Sequence, residues 1–115
     1  MASLRNIAAR AGDILKFSYR KENYLPMPEW DGEGLPPLEW HRARVANEAL
    51  DMAGLYAAKA KAFAGDEEGW DHPRPDWAEE QADYMERDFA RYAWAITAKP
   101  SEIWQDELEF YRCGE

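Results

Sequence analysis

Seven prolines decide where this chain can be regular. They stand at positions 26, 28, 36, 37, 73, 75 and 100. Proline lacks an amide proton and fixes φ, so neither a helix interior nor a central strand runs through them. In the stretches between, apolar residues recur at the helical period. Leu4, Ile7, Ala8, Ala11, Ile14 and Leu15 follow at steps of 3, 1, 3, 3 and 1, with Ser3 placed as an N-cap. From Pro37, suited to a first helical turn, Leu38, Val45, Ala49, Met52, Tyr56, Ala60 and Phe63 recur until Gly65 supplies a stop. A third run starts at Asp76, which stands to Glu79 as in a capping box, and carries Ala78, Ala82, Met85, Phe89, Tyr92 and Ile96 on one stripe as far as Pro100. Ser101 then caps a short fourth helix with Trp104, Leu108 and Tyr111 on one face, although LEF at 108–110 also reads as a strand.

The pattern predicts an all-α fold: one compact domain over residues 1–115, about four helices, and two long antiparallel helices at its centre. A Pro/Gly-rich loop over 18–37 separates the first two helices. Its Tyr19, Tyr24, Leu25, Met27, Trp30 and Leu35 supply enough apolar surface to lay it over the core, so it is expected to be ordered, with Tyr24, Met27 and Trp30 holding it down.

Six Trp, six Tyr and four Phe among 115 residues exclude a disordered acidic tail, because such a chain has ample surface to bury. A net charge of −9 argues against binding to nucleic acid or to anionic membranes through charge. The charge is uneven: residues 1–21 carry +4, 22–40 carry −5, 41–64 carry +2, 65–90 carry −8 and 91–115 carry −2. The lone Cys113 has no internal partner for a disulfide, and bases interrupt the apolar residues of the first twenty positions. A reducing cytoplasm without a signal peptide is therefore the simplest expectation.

On the third helix Asp76, Glu79, Asp83 and Glu86 fall within an arc of roughly 80°. Acids in the first turn gain from the helix dipole, which accounts for Asp76, Glu79 and Glu80. Asp83 and Glu86 lie beyond that reach, and Glu79 with Asp83 is a like-charge i,i+4 pair partly offset by Arg87. The stripe reads either as a solvated face or as a binding face. As an imitation of nucleic acid it is too dilute alone, with four charges over about 15 Å against one per ~1.7 Å of duplex axis. Mimicry requires Asp66, Glu67, Glu68 and Asp71, or Glu29, Asp31 and Glu33, to fold beside it. Trp94 falls on the acidic side of the helix and Trp77 and Tyr84 on its far side, so either neighbours contact the helix on several sides or one ring is a surface anchor.

Catalytic and cofactor signatures are missing. His41 and His72 belong to no metal-binding spacing, and His41 edges the core face of the second helix. DGEG at 31–34 lacks the later ligands of a calcium loop, and neither GxGxxG nor a P-loop occurs. Residues Ile7 to Gly12, IAARAG, resemble the end of the first helix and the turn of lac-repressor-type helix-turn-helix domains, in which Ala8 and Gly12 would let two helices cross closely. The resemblance covers six residues, and Ser18 departs from it where an apolar residue would anchor a recognition helix.

Clustered acids, surplus Trp and Tyr and the missing motifs together predict a non-enzymatic protein-binding protein without metal or cofactor, whose partner presents a basic surface. Nucleic-acid-binding proteins own the largest basic surfaces, and the profile resembles phage or mobile-element inhibitors of the anti-CRISPR or DNA-mimic kind. That analogy implies the cytoplasm, of the host cell if the protein is phage-encoded. The expected contact residues are Asp76, Glu79, Asp83, Glu86 and Trp94, joined by Glu67, Glu68 and Asp71. The alternatives are a phage structural or assembly subunit and a small helix-turn-helix-like DNA-binding regulator.

Overall fold

The computed structural model describes residues 3–34, 36–65 and 74–105. Three helices form the body: α1 (Leu4–Ser18), α2 (Leu38–Phe63) and α3 (Pro75–Thr97), with a 3-10 turn at Lys21–Asn23 and helical backbone again over 100–105. No strand occurs among the described residues, and the domain is all-α as the periodicity predicts. Among the described residues no helix is long and apolar enough to cross a membrane.

Ser3 caps α1 as its position implies, its Oγ accepting the Asn6 amide at 3.1 Å. α1 does not turn at Gly12. It runs on to Ser18, and a methyl group at Gly12 would meet nothing within 4 Å, so the close crossing that the helix-turn-helix resemblance implies is not made there. α2 ends at Phe63, and Gly65 follows with φ 84°, a left-handed stop open to glycine. The two ends of that connection meet, since the Arg74 amide donates to the Phe63 carbonyl at 2.7 Å, and α3 runs back antiparallel along α2.

That return bond also moves the start of α3. Pro75 is the first helical residue and Arg74 occupies the capping position without a side-chain hydrogen bond, so Asp76 sits inside the first turn and does not cap it. A proline there needs no amide partner and is already set to a helical φ, which wins over the capping box. Similarly, residues 100–105 are helical and the Glu102 carboxylate accepts the Lys99 amide at 3.0 Å, which puts Ser101 within the turn instead of at its cap. Leu108 and Tyr111 lie outside the described residues.

α2 is the centre of the bundle. Ala43, Ala46, Ala49, Ala53, Ala57 and Ala60 are all buried, and these small side chains let α1 and α3 approach closely while losing no rotamer entropy. Larger residues fill the space between: Ile7, Ile14 and Met85 in one cluster, Val45, Leu50, Tyr92 and Ile103 in the other. Phe89 packs against both clusters. Phe17 meets Phe89 and Tyr92 edge-on at 5.4 and 5.8 Å, tying α1 to α3. Burial on several sides also moves the core faces. Met52 is exposed on α2, and on α3 Ile96 is 40% exposed while Asp88 and Ala95, one residue short of the expected positions, are buried.

The proline loop is held by hydrogen bonds as much as by apolar contact. Asn47 on α2 accepts the Leu25 amide at 2.9 Å and donates to the Leu25 carbonyl at 3.0 Å, closing both backbone groups as a strand partner would. Tyr92 Oη donates to the Asn23 carbonyl. Tyr24 Oη bridges the Ser18 carbonyl and Asp51, and burial together with the Asp51 hydrogen bond pushes its hydroxyl up to about 12. Met27 is 45% exposed, whereas the half-buried Trp30 packs on Trp40. Asn47→Ala should therefore loosen the loop, at a cost of roughly 1–3 kcal/mol for two backbone groups left without partners. Limited proteolysis between residues 21 and 34 is the measurement; an unchanged cleavage rate would mean that the aromatic contacts alone hold the segment.

Candidate protein-binding face

α3 separates its residues by angle. Ala78, Met85 and Tyr92, at intervals of seven, face α2 and are buried. Asp83 lies roughly 160° round the helix from Met85 and is exposed, as is Asp76; Glu79 is half-buried. Among the described residues no base pairs with Asp76, Glu79 or Asp83. Arg87, expected to offset Asp83, turns instead to Asp88 at 3.4 Å and covers the Tyr84 ring at 5.0 Å.

Glu86 has a different task. Its carboxylate accepts Arg10 Nε at 2.6 Å and a second guanidinium nitrogen at 3.2 Å, joining α3 to α1, while the same guanidinium lies over Phe89 at 5.4 Å. The hydrogen bond to Glu86 raises the Arg10 pKa further above its ordinary value. Both side chains are about half exposed, so the pair is worth no more than about 1 kcal/mol. It nonetheless accounts for an acid that the helix dipole does not reach. The stripe is thus an open line of Asp76, Glu79 and Asp83 continued by an acid that the fold itself uses.

Trp94 is half-buried against the second core cluster with Arg91 over its ring at 5.6 Å. Trp77 and Tyr84 are reached by α2, Trp77 through Phe63 at 5.3 Å and Tyr84 through Tyr56 at 5.2 Å, and Trp77 remains 48% exposed. His41 is 1% exposed between Trp40 and Trp104, at 5.7 and 4.5 Å, which makes it a core residue. Among the described residues no three His, Cys, Asp or Glu side chains converge as a metal site requires.

The two groups of loop acids that would lengthen the stripe fare differently. Glu67, Glu68 and Asp71, with Asp66, lie outside the described residues. Glu29, Asp31 and Glu33 are tied to the first turn of α2 by the Trp30–Trp40 contact at 4.7 Å, and that end of α2 is joined to Ala95 and Ala98 through Arg42. From Asp83 to Ala95 is about 18 Å along α3, so these acids sit at the opposite end of the bundle from the stripe.

There they border a feature that periodicity alone does not disclose. A cleft of about 740 Å³ opens between the loop and α2, lined by Pro28, Glu29, Trp30, Asp31 and Trp40. The one hint in the sequence is an aromatic residue between two acids, E-W-D at 29–31, close before a second Trp at 40. Neither the helical period nor a motif brings Trp30 and Trp40 together; the proline-set path of the loop does. No family model, no curated protein and no solved structure matches this chain.

Proposed function

We propose that this chain is a non-enzymatic binding protein that places the acidic face of α3 on a basic surface of a protein partner, as an inhibitor of the anti-CRISPR or DNA-mimic kind acting in the cytoplasm. The observation that carries the reading is the line of Asp76, Glu79 and Asp83 turned away from the core with no base of the described residues to neutralise it. Like charges in a line are kept at a small cost in stability, and complementary charge on a partner removes that cost while it steers encounter. Trp94, fixed by the second core cluster, supplies a rigid apolar element farther along α3. The mimicry within this reading rests on Glu67, Glu68 and Asp71 joining the stripe, since Glu29, Asp31 and Glu33 stand at the other end.

The test reverses Asp76 and Asp83 to Lys and leaves Glu86 in place, because Glu86→Lys would also break the Arg10 bridge. Each exposed reversal is expected to change folding by about 0.5 kcal/mol, a little more at Asp76 in the first turn. A partner recovered by affinity purification from the native source should associate more slowly with the double variant, with a flatter dependence on salt. The wild-type protein should also weaken that partner's hold on nucleic acid. Equal affinity and equal salt slope for both folded proteins would return the stripe to a solvated face, and self-assembly with no partner would favour the structural-subunit reading.

A further inference from the structure

We propose that the cleft between the proline loop and α2 is a cation-binding site that receives an arginine side chain of a partner protein. That a protein carries the arginine rests on the function proposed above; the cation site itself does not. Its lining includes the half-buried indoles of Trp30 and Trp40, which touch edge to face at 64° with centroids 4.7 Å apart, and the exposed carboxylates of Glu29 and Asp31. Electron-rich ring faces attract a cation, guanidinium above all, and a nearby carboxylate adds a planar partner for its fork of donors. A volume near 740 Å³ falls within the roughly 300–1,000 Å³ of ordinary ligand clefts.

Two features distinguish this place from the other aromatic surfaces of the molecule. At three other aromatic residues the chain supplies its own cation: Arg74 lies over Trp77, Arg87 over Tyr84 and Arg91 over Trp94. Here residues 22–40 carry five acids and no base, and among the described residues no base lines the cleft. Arg44 approaches Trp40 only at 5.9 Å, the limit of such a contact, and is held by Glu48 at 3.1 Å. The second feature is that the site is set before any ligand arrives. Trp30 Nε1 donates to the Glu33 carbonyl at 3.1 Å, and the Glu33 amide donates to Asp31 Oδ1 at 2.9 Å, so one turn fixes both an indole and a carboxylate. Fixed groups lose little freedom on binding, so less of the interaction is spent on ordering the site.

The test titrates the full chain with the capped tripeptide acetyl-Gly-Arg-Gly-amide and follows the indole N–H signals by nitrogen-15 NMR, with the neutral citrulline tripeptide as a control of equal shape. Saturable shifts are expected at Trp30 and Trp40 and not at Trp77, and citrulline should bind about tenfold more weakly, the loss expected for a cation–π contact together with a charge pair. The Glu29→Gln, Asp31→Asn double variant, which keeps the Oδ1 acceptor for Glu33, should bind the arginine peptide several-fold more weakly. The Asp76→Lys, Asp83→Lys protein should bind it as the wild type does, so a failed α3 reading and a failed cleft are told apart. Equal response to citrulline, an unchanged affinity in the Gln/Asn variant, or shifts spread over every Trp would each overturn the proposal.

Discussion

Arg42→Ala should cost this fold about 2–4 kcal/mol, far more than its charge alone suggests. The guanidinium is carried by α2 but serves α3: one terminal nitrogen donates to the Ala95 carbonyl at 2.7 Å and the other to the Ala98 carbonyl. The last carbonyls of a helix have no partner within it, and α3 has no basic residue in its own last turn. Arg42 takes that place from the neighbouring helix, where a cation also meets the negative end of the dipole. Its side chain is only 13% exposed, so truncation leaves two carbonyls poorly hydrated as well as removing two charge-assisted bonds. The 3.4 Å contact with the exposed Glu39 contributes little beside this. Arg42→Lys keeps the charge and loses the fork, and should fall between the two. Urea unfolding at a constant m-value is the measurement. A loss under about 0.5 kcal/mol for Arg42→Ala would mean that water reaches both carbonyls and that the corner is held by Ile103 and Ala98 alone.

Arg42 also marks the boundary of what this sequence discloses. The helices themselves are legible because their signals are local: Ser3 before α1, the run from Leu38 to Phe63, and Gly65 after it act within one or two turns. What decides which face is buried is not local. α2 has alanine on every side and is covered by α1, α3 and the loop at once, so a single apolar stripe misplaces Met52 and overlooks Ala46, Leu50 and Ala53. The same holds for α3, where Ile96 is the more apolar residue but Ala95 fits the close approach to α2. Alanine and glycine set the distance between helices, and their contribution is geometric where a hydropathy pattern measures only transfer from water.

The candidate site divides along the same line. An acidic stripe on one helix is visible from spacing alone, and its exposure at Asp76 and Asp83 follows from facing away from Met85. The Arg10–Glu86 bridge joins residues 76 positions apart, and no spacing rule connects them. Nor does any rule pair Trp30 with Trp40, because the chain between them turns through the bonds that Asp31 and Trp30 make with Glu33. Sequence therefore discloses charge that sits on a single element and conceals clefts built from two.

Gly54→Ala should destabilise the protein by about 1–3 kcal/mol, against the direction that helix propensity gives. In an open helix interior the change from glycine to alanine gains about 0.8–1.0 kcal/mol. Gly54 lies in the middle of α2 where α1 ends against it, and a methyl group there would stand 2.9 Å from Ser18 Cβ and 2.5 Å from Ser18 Oγ. The Oγ cannot simply swing away without loss, because it donates to the Leu15 carbonyl at 2.8 Å, and the Cβ is fixed by the backbone of the last helical residue. Relief must come from moving the end of α1, which carries Phe17 into the contacts with Phe89 and Tyr92 and leads directly into the loop that Tyr24 and Asn47 hold. Overpacking of this kind costs more than the propensity gain returns. The double variant Gly54→Ala, Ser18→Gly removes both clashing atoms, so it should be more stable, by at least about 1 kcal/mol, than the sum of the two single losses predicts. If Gly54→Ala is stabilising, or if the two substitutions are additive, α1 yields freely at its end and the close crossing of the two helices does not hold the bundle in register.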